Sequence, residues 1–228
     1  MALILQIETA TDVCSVCLSK GPDIIAIQEL TNFSDHAAQI TLMIEACFRE
    51  ASMSLSQIDA VAISQGPGSY TALRIGISTA KGICYALSKP LIAVDTLLSL
   101  ALAAYALEQK NALYCPMIDA RRMDVYAALF DVKGNQVQAP AALTVGADTF
   151  GDWFEKGHEL VFCGNGASKC QAVLSSPLAH FSSVICSSKH LIPLALRAFD
   201  QKHFADLAYF EPFYLKPPNI TTPRKNLL

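Results

Sequence analysis

Paired histidines are missing from this sequence of 228 residues. Its five histidines, His36, His158, His180, His190 and His203, include no two that stand four apart, and no HExxH occurs. Two imidazoles reach one metal ion from a helix when they sit a turn apart, so the pattern argues against a zinc or iron site and against a metalloprotease. No G-x-S-x-G elbow is present either; Ser64-Gln65-Gly66 does not supply one, and no serine nucleophile with a histidine base is indicated. Positive charge is not in excess: 17 Lys and Arg stand against 20 Asp and Glu, the net charge is −3, and the only obvious basic cluster is the short PRK near the end. Tight binding of nucleic acid needs a basic face, which disfavours that class for the chain alone. The longest nearly apolar run, LLSLALAAYAL at Leu97–Leu107, is far shorter than the roughly 20 residues that cross a bilayer. MALILQIETA has no basic segment ahead of its apolar residues, unlike a secretory signal. A cytoplasmic protein without a membrane segment is expected.

What is present is apolar. Hydrophobic residues make up 52% of the chain and the mean hydropathy is +0.34. That surplus has to enter a core or a partner, and Leu97–Leu107 is expected to form a buried helix. The eight cysteines lie mostly in apolar runs. Cys14 and Cys17 form a CxxC, but an odd separation on a strand puts them on opposite faces, so reduced core thiols are expected rather than a metal site.

Hydrophobic patterning predicts strands at 3–7, 13–18 and 23–30, with Gly21-Pro22 turning between the last two. A helix over 36–51 follows, with Ile40, Ile44, Cys47 and Ala51 on one face. Next come a strand at 59–64, a helix at 70–87, a strand at 90–94 and a helix at 95–109. The second half opens in the same manner, with strands at 114–119 and 124–131. ILQIETATDVCSVCL and CPMIDARRMDVYAALF both run from apolar strand to acid, short polar turn, Asp-Val and strand, pairing Glu8 with Asp119 and Asp12 with Asp124. An internal repeat of about half the chain is expected, with halves at 1–109 and 110–228. A strand at 159–163, the turn Gly164–Gly166 and a helix around 190–208 complete the second half, and the last helix and tail are expected to return to the first. KPPNITTPRKNLL reads as a loose end.

The stretch GPGSYTALR, Gly66–Arg74, allows two readings. It is a glycine loop that holds phosphate, or a turn and N-cap that aims a helix. No P-loop lysine follows it, and Pro67 removes a backbone donor, so the turn is favoured, with Ser69 as cap. The helix behind it is apolar nearly all round. Ala72, Gly76 and Ala80 form a small-residue face that would admit a partner helix, while Leu73 and Ile77 could serve sheet or partner. Asp119, Arg121, Arg122 and Asp124 could contact phosphate or form a salt-bridged turn.

Two halves with acid-tipped hairpins resemble the actin, hexokinase and Hsp70 ATPase superfamily. The implied fold is α/β, with two RNase H-like (actin/Hsp70 ATPase-like) halves, each a mixed sheet with flanking helices. GPGSYTALRIGISTAKGI resembles GPGSFTGLRIGLATAKGL of the TsaB (YeaZ-like) family; ILQIETATDVCSVCL, DARRMDVYAALF and FEPFYLKP resemble that family's opening, second hairpin and C-terminal P-x-YLR. The likeness covers nearly the whole chain. Glu8 stands where the family has Asp, Tyr70 and Ala72 where it has Phe and Gly, and Lys216 where it has Arg. The family is the smaller relative of TsaD, classed by sequence with the M22 glycoproteases.

The resemblance implies a role in making N6-threonylcarbamoyladenosine in tRNA. TsaD transfers the group, TsaB holds TsaD, and the ATPase TsaE joins them. TsaD, or a second copy of the chain, would be met through Ser69, Tyr70, Ala72, Leu73, Arg74, Gly76, Ile77 and Ala80, with His36 and Ile40. Remnants of a nucleotide site would be Glu8, Thr9, Thr11, Asp119 and Arg121, with ATP or ADP at the TsaD interface as the one cofactor to consider. No catalytic residue and no metal ligand is assigned, and tRNA is reached only through the complex. The competing class is an enzyme in its own right, an actin-like ATPase or a glycoprotease.

Overall fold

The computed structural model describes residues 1–31 and 36–217. The tail from residue 218, PRK included, lies outside the described residues.

β1 (Leu3–Glu8) is buried at all six positions, as a central strand covered on both faces must be. It pairs antiparallel with β2 (Cys14–Lys20), and β2 with β3 (Asp23–Leu30), which gives the meander read from the sequence. β4 (Ala60–Ser64) and β5 (Leu91–Val94) add parallel on the other side, for a strand order β3-β2-β1-β4-β5. Parallel strands need crossovers, which α1 (His36–Glu50) and α2 (Tyr70–Leu87) provide.

Side-chain alternation divides this sheet. Leu3, Leu5, Ile7, Val61 and Ile63 meet Ile40, Ile44, Cys47 and Phe48 of α1 and Ile77, Ala80 and Cys84 of α2. Ile4, Ala60, Ala62, Ile92 and Val94 face the opposite way, onto Leu191 and onto Ala195 of α6 (Ile192–Asp200). At about 25 cal/mol per Å2 of apolar surface, each such side chain contributes about 2 kcal/mol against the entropy of folding.

The second sheet repeats the first. β6 (Leu113–Asp119), β7 (Asp124–Phe130) and β8 (Gln136–Thr144) run antiparallel, and β9 (Leu160–Cys163) and β10 (Ala179–Phe181) add parallel, in the order β10-β9-β6-β7-β8. α3 (Thr96–Glu108) covers one face with Leu97, Leu100, Ala101 and Ala104. The other face carries Phe150 and Phe162, with the short helices α4 (Gly151–Glu155) and α5 (Ala167–Cys170). All eight cysteines are free and buried.

Three expectations need correction. The last helix does not run from 190 to 208: a 3₁₀ turn at Ser188–Leu191 leads into α6, which stops at Asp200. Lys202 takes φ +56, and the N–H groups of Lys202 and His203 bond back to Phe199 and Ala198, closing the helix in a Schellman turn. The apolar run is not wholly buried, because Leu107 at the end of α3 is 59% exposed. β8, with polar residues and Pro140 on a sheet edge, has no counterpart in the sequence reading.

Candidate functional site

The glycine loop is occupied by the chain itself. β4 ends at Ser64, Gly66 takes φ +107, and the Gly66 N–H donates to Thr96 Oγ1 at 3.0 Å. A Cβ on Gly68 would lie 2.3 Å from the Ala10 carbonyl oxygen, so only glycine lets the loop close on the β1–β2 hairpin tip. The Ser69 N–H donates to that same carbonyl at 2.7 Å. An N–H that a phosphate would need is thus spent on Ala10. Ser69 stands at the N-cap position, but its side chain makes no capping hydrogen bond, which corrects the expected cap.

Glu8 and Thr9 lie under this contact, 1% and 0% exposed. Glu8 Oε1 accepts from the Ala10 N–H at 2.6 Å and from Ser64 Oγ at 2.7 Å, while Oε2 and Thr9 Oγ1 are buried without a partner. Burial pushes the Glu8 carboxyl up to about 7, against the smaller opposing pull of those hydrogen bonds.

Above them a cleft of about 360 Å3 opens between the halves, with Thr11, Asp12, Asp119 and Asn165 in its walls. Of the five expected nucleotide-site residues, only Thr11 and Asp119 reach it. The Arg121 backbone, at φ +72, turns on the Asp119 carboxylate, which accepts its N–H at 2.8 Å. Two carboxylates in the wall, Glu8 spent on the hairpin and no room between Gly68 and Ala10 do not fit a nucleotide phosphate. Among the described residues, no three of His, Cys, Asp and Glu come together as metal ligands could.

The second hairpin is tied differently. Its acids do not pair with Arg121 and Arg122. Lys169 of α5 bonds Asp119 and the Asp124 carbonyl, and Lys216 Nζ reaches Asp124 Oδ2 at 2.6 Å. The Lys216 hydrogen bond, then that of Thr144, holds the Asp124 carboxyl below the usual carboxylate range. Both lysines were missed in the sequence, although Lys216 stands in the YLK motif.

Residues 205–216 run as a strap along the first half. The Ala205 N–H bonds Leu91, Lys81 Nζ donates to the Phe210 carbonyl, and the Phe213 N–H bonds Gln65. Tyr214 stacks on Tyr70 at 4.8 Å between centroids and accepts from Arg74 Nε at 3.2 Å, while the Arg74 guanidinium lies over the Tyr70 ring.

The orientation of α2 is the main correction. Ala72, Leu73, Gly76, Ile77 and Ala80 are all buried within the chain itself, Ile77 and Ala80 in the core of the first sheet with Ile40 of α1, and Ala72 beside the cleft at the hairpin tips. A Cβ on Gly76 would sit 2.2 Å from Thr9 Oγ1 and 3.1 Å from Ile63 Cδ1. The small residues let the helix approach its own strands. His36 opens α1, and its side chain lies outside the described residues. The uncovered face of α2 carries Thr71, Ser78, Gly82 and Ala86 together with Arg74 and Tyr85, the latter 82% exposed, and is edged by half-buried Ile75, Thr79 and Ile83. A Cβ on Gly82 would meet nothing within 4 Å. Beside this face a groove of about 450 Å3 runs between α1 and α2 over Ile44, Phe48, Met53 and Leu55, and Leu42 stands 55% exposed.

Two sheets of one RNase H-like order, joined across a cleft, place the molecule in the actin/Hsp70-like class. Component A of the Acidaminococcus fermentans (R)-2-hydroxyglutaryl-CoA dehydratase shares the fold at TM-score 0.53 and 10% identity, over 89% of this chain and 100% of that one. Within that class, the model of the family described as TsaD, tRNA N6-adenosine threonylcarbamoyltransferase, matches residues 31–222, and the chain belongs to that family, on its TsaB/YeaZ branch. It is 36% identical over 136 residues to the tRNA threonylcarbamoyladenosine biosynthesis protein TsaB of Escherichia coli K12, covering 59% of this chain and 57% of that protein. To TsaB of Bacillus subtilis it is 25% identical over 217 residues, 93% of each chain. The chain spans about half the length of the Escherichia coli and Haemophilus influenzae relatives it matches. The crystal structure of YeaZ from Pseudomonas aeruginosa superposes at TM-score 0.77 and 27% identity, over 94% of this chain and all of that one.

Proposed function

We propose that this chain is a non-catalytic subunit in the formation of N6-threonylcarbamoyladenosine in tRNA. Residues 1–109 form its partner-binding half, and 110–228 carry the second hairpin and the strap. It holds a TsaD-type transferase against the α1–α2 face, a TsaE-type ATPase joins the pair, and tRNA is met through the assembly rather than by this chain. The names and extent of the relatives support the pathway. The α1–α2 face carries the holding role: it joins an apolar groove to a run of small residues beside Tyr85, an exposed aromatic ring that a partner helix would cover. The same face closes a homodimer when the transferase is absent. Tyr70 and Arg74, clamped by Tyr214, fix the start of α2 relative to the strap.

The test contrasts two glycines of one helix. In Gly82→Glu the new side chain points into open space, so circular dichroism and melting temperature stay near those of the parent. Burial of its unpaired carboxylate in the complex costs several kcal/mol, and titration with TsaD from the same cells shows affinity reduced by about a hundredfold or more. In Gly76→Glu the carboxylate is driven against Thr9 and Ile63, and the fold itself is lost. A folded Gly82→Glu that binds TsaD as tightly as the parent removes α2 from the interface.

A further inference from the structure

A cavity of about 680 Å3 lies where the end of β3, the second half of α3 and the segment 183–193 meet. It is distinct from the helix face and from the cleft at the hairpin tips. It is open to solvent, with Glu29, Leu107, Ile185 and Lys189 exposed along its rim, and its size is that of clefts that bind small organic ligands.

One wall is apolar, formed by Leu102, Ala106 and Leu107 of α3 with Pro193 of α6. The other carries Glu29 and Lys189. Glu29 is held in place: Ser15 Oγ, at 2.9 Å, and Ser187 Oγ both donate to its Oε1, leaving Oε2 outside that network. Ser15 is itself fixed by the Ser188 N–H at 2.9 Å. Lys189 comes directly after it in the chain, and among the described residues its ammonium makes no ion pair and no hydrogen bond. An anchored carboxylate and an ammonium, both exposed to water and not ion-paired to each other, therefore line one groove. His190, next in the chain after Lys189 and in the same lining, adds no charge near neutral pH, because burial, helped by Lys189, pushes its imidazole down to about 4.

We propose that this groove binds a small zwitterion with an apolar body, a free apolar amino acid or an apolar dipeptide, with its ammonium at Glu29 and its carboxylate at Lys189. The α3 wall takes the apolar body. A charge-assisted hydrogen bond at each end supplies orientation, and the hydrophobic wall supplies most of the attraction.

The test uses the full chain, with L-phenylalanine and leucyl-phenylalanine as probes in titration calorimetry. At least one of them binds, and N-acetylation or C-amidation of that probe, each of which deletes one charge, weakens it about tenfold or more. Glu29→Gln keeps an acceptor for Ser15 and Ser187; it weakens the parent probe but leaves the N-acetylated one unchanged. Lys189→Met does the same with respect to the C-amide. Melting temperatures confirm that both variants fold, and Ala106→Trp, which fills the cavity, abolishes binding independently of charge. Tighter binding of phenylalanine identifies a free amino acid as the ligand, and tighter binding of the dipeptide identifies a peptide. No binding by either at about 10 mM, or binding indifferent to acetylation, amidation and both charge variants, overturns the proposal.

Discussion

In the first half the loop Gly66–Gly68 follows β4 and closes on the tip of β1. In the second, the loop Gly164–Gly166 follows β9 and closes on the end of β6. The two loops share their local chemistry. Each opens with a glycine at positive φ, +107 and +91, and each sends an N–H into the opposing strand end, Ser69 to Ala10 and Gly166 to Met117. The helices they launch differ. The first loop opens an 18-residue helix with an uncovered face, the second a helix of four residues. The acids differ as well. Glu8 is sealed in and its ionisation disfavoured, whereas Asp119 and Asp124 reach solvent and are held by lysines from α5 and the strap. The two halves share a topology, while one hairpin is a structural plug and the other a charged anchor.

The largest effect that separates the two comes from the glycines. Gly68→Ala drives a methyl to 2.3 Å from a backbone oxygen, and Gly166→Ala brings one to 3.0 Å from the backbone of β6. Overpacking of the first kind costs about 3 kcal/mol and of the second about 1 kcal/mol. At 2–4 °C per kcal/mol for a chain of this size, Gly68→Ala melts roughly 6–12 °C lower, and Gly166→Ala only a few degrees. Equal losses in thermal melts mean that the two loops bear equal strain and that the first tip is no tighter plug.

A smaller effect arises from Glu8. Its folded value of about 7 lies above the ordinary 4.5, so between those pH values the native state keeps a proton that the unfolded chain has released. Stability is therefore greatest below 4.5, falls as pH rises toward 7, and stays reduced above it. The full difference is on the order of 3 kcal/mol. Glu8→Gln removes this slope: denaturant titrations show it at least as stable as the parent at pH 8, with the advantage gone at pH 4. A parent whose stability does not fall from pH 5 to 8 has an ionised Glu8 with a partner supplied by rearrangement.

The two hairpins, β4, β5, β9 and α2 were legible in the sequence because apolar runs bounded by Gly-Pro, Gly-Pro-Gly and Gly-Asn-Gly leave few alternatives, whereas the three-residue parallel strand β10 was not. The length of the last helix was not, since apolar spacing continues past Lys202 while the chain reverses there. Nor was the direction in which α2 faces. Ala72, Gly76 and Ala80 permit close approach of any backbone, and the spacing does not say whether that backbone belongs to a partner or to Thr9 and Ile63. A second set of small residues, Thr71, Ser78, Gly82 and Ala86, was equally visible, but it shares its side of the helix with Arg74 and Tyr85. The charge partners of Asp119 and Asp124 come from residues 50 and 92 positions away, a distance at which sequence spacing carries no information.

The smallest effect is expected at the strap. Lys216 Nζ meets Asp124 Oδ2 at 2.6 Å, with the two side chains 40% and 29% exposed. Water competes for both groups and the lysine loses rotamer freedom, so such a pair contributes little despite its short distance. Because the Asp124 carboxyl is held below its ordinary value, its contribution is present above that value and disappears as pH falls through the folded one. Lys216→Met removes the pair and keeps much of the apolar stem. Its melting temperature at low salt and pH 7 should fall by less than that of Gly166→Ala. The difference should shrink toward zero near 1 M salt, where the screening length is about 3 Å, and it should also shrink as pH falls below the ordinary carboxylate range. The Glu8→Gln difference, between buried groups, should persist in the same high salt. A Lys216→Met loss that survives both salt and acid shows the strap to be held here by packing of the lysine stem, and the contrast between a buried plug and a screened anchor then fails at the second hairpin.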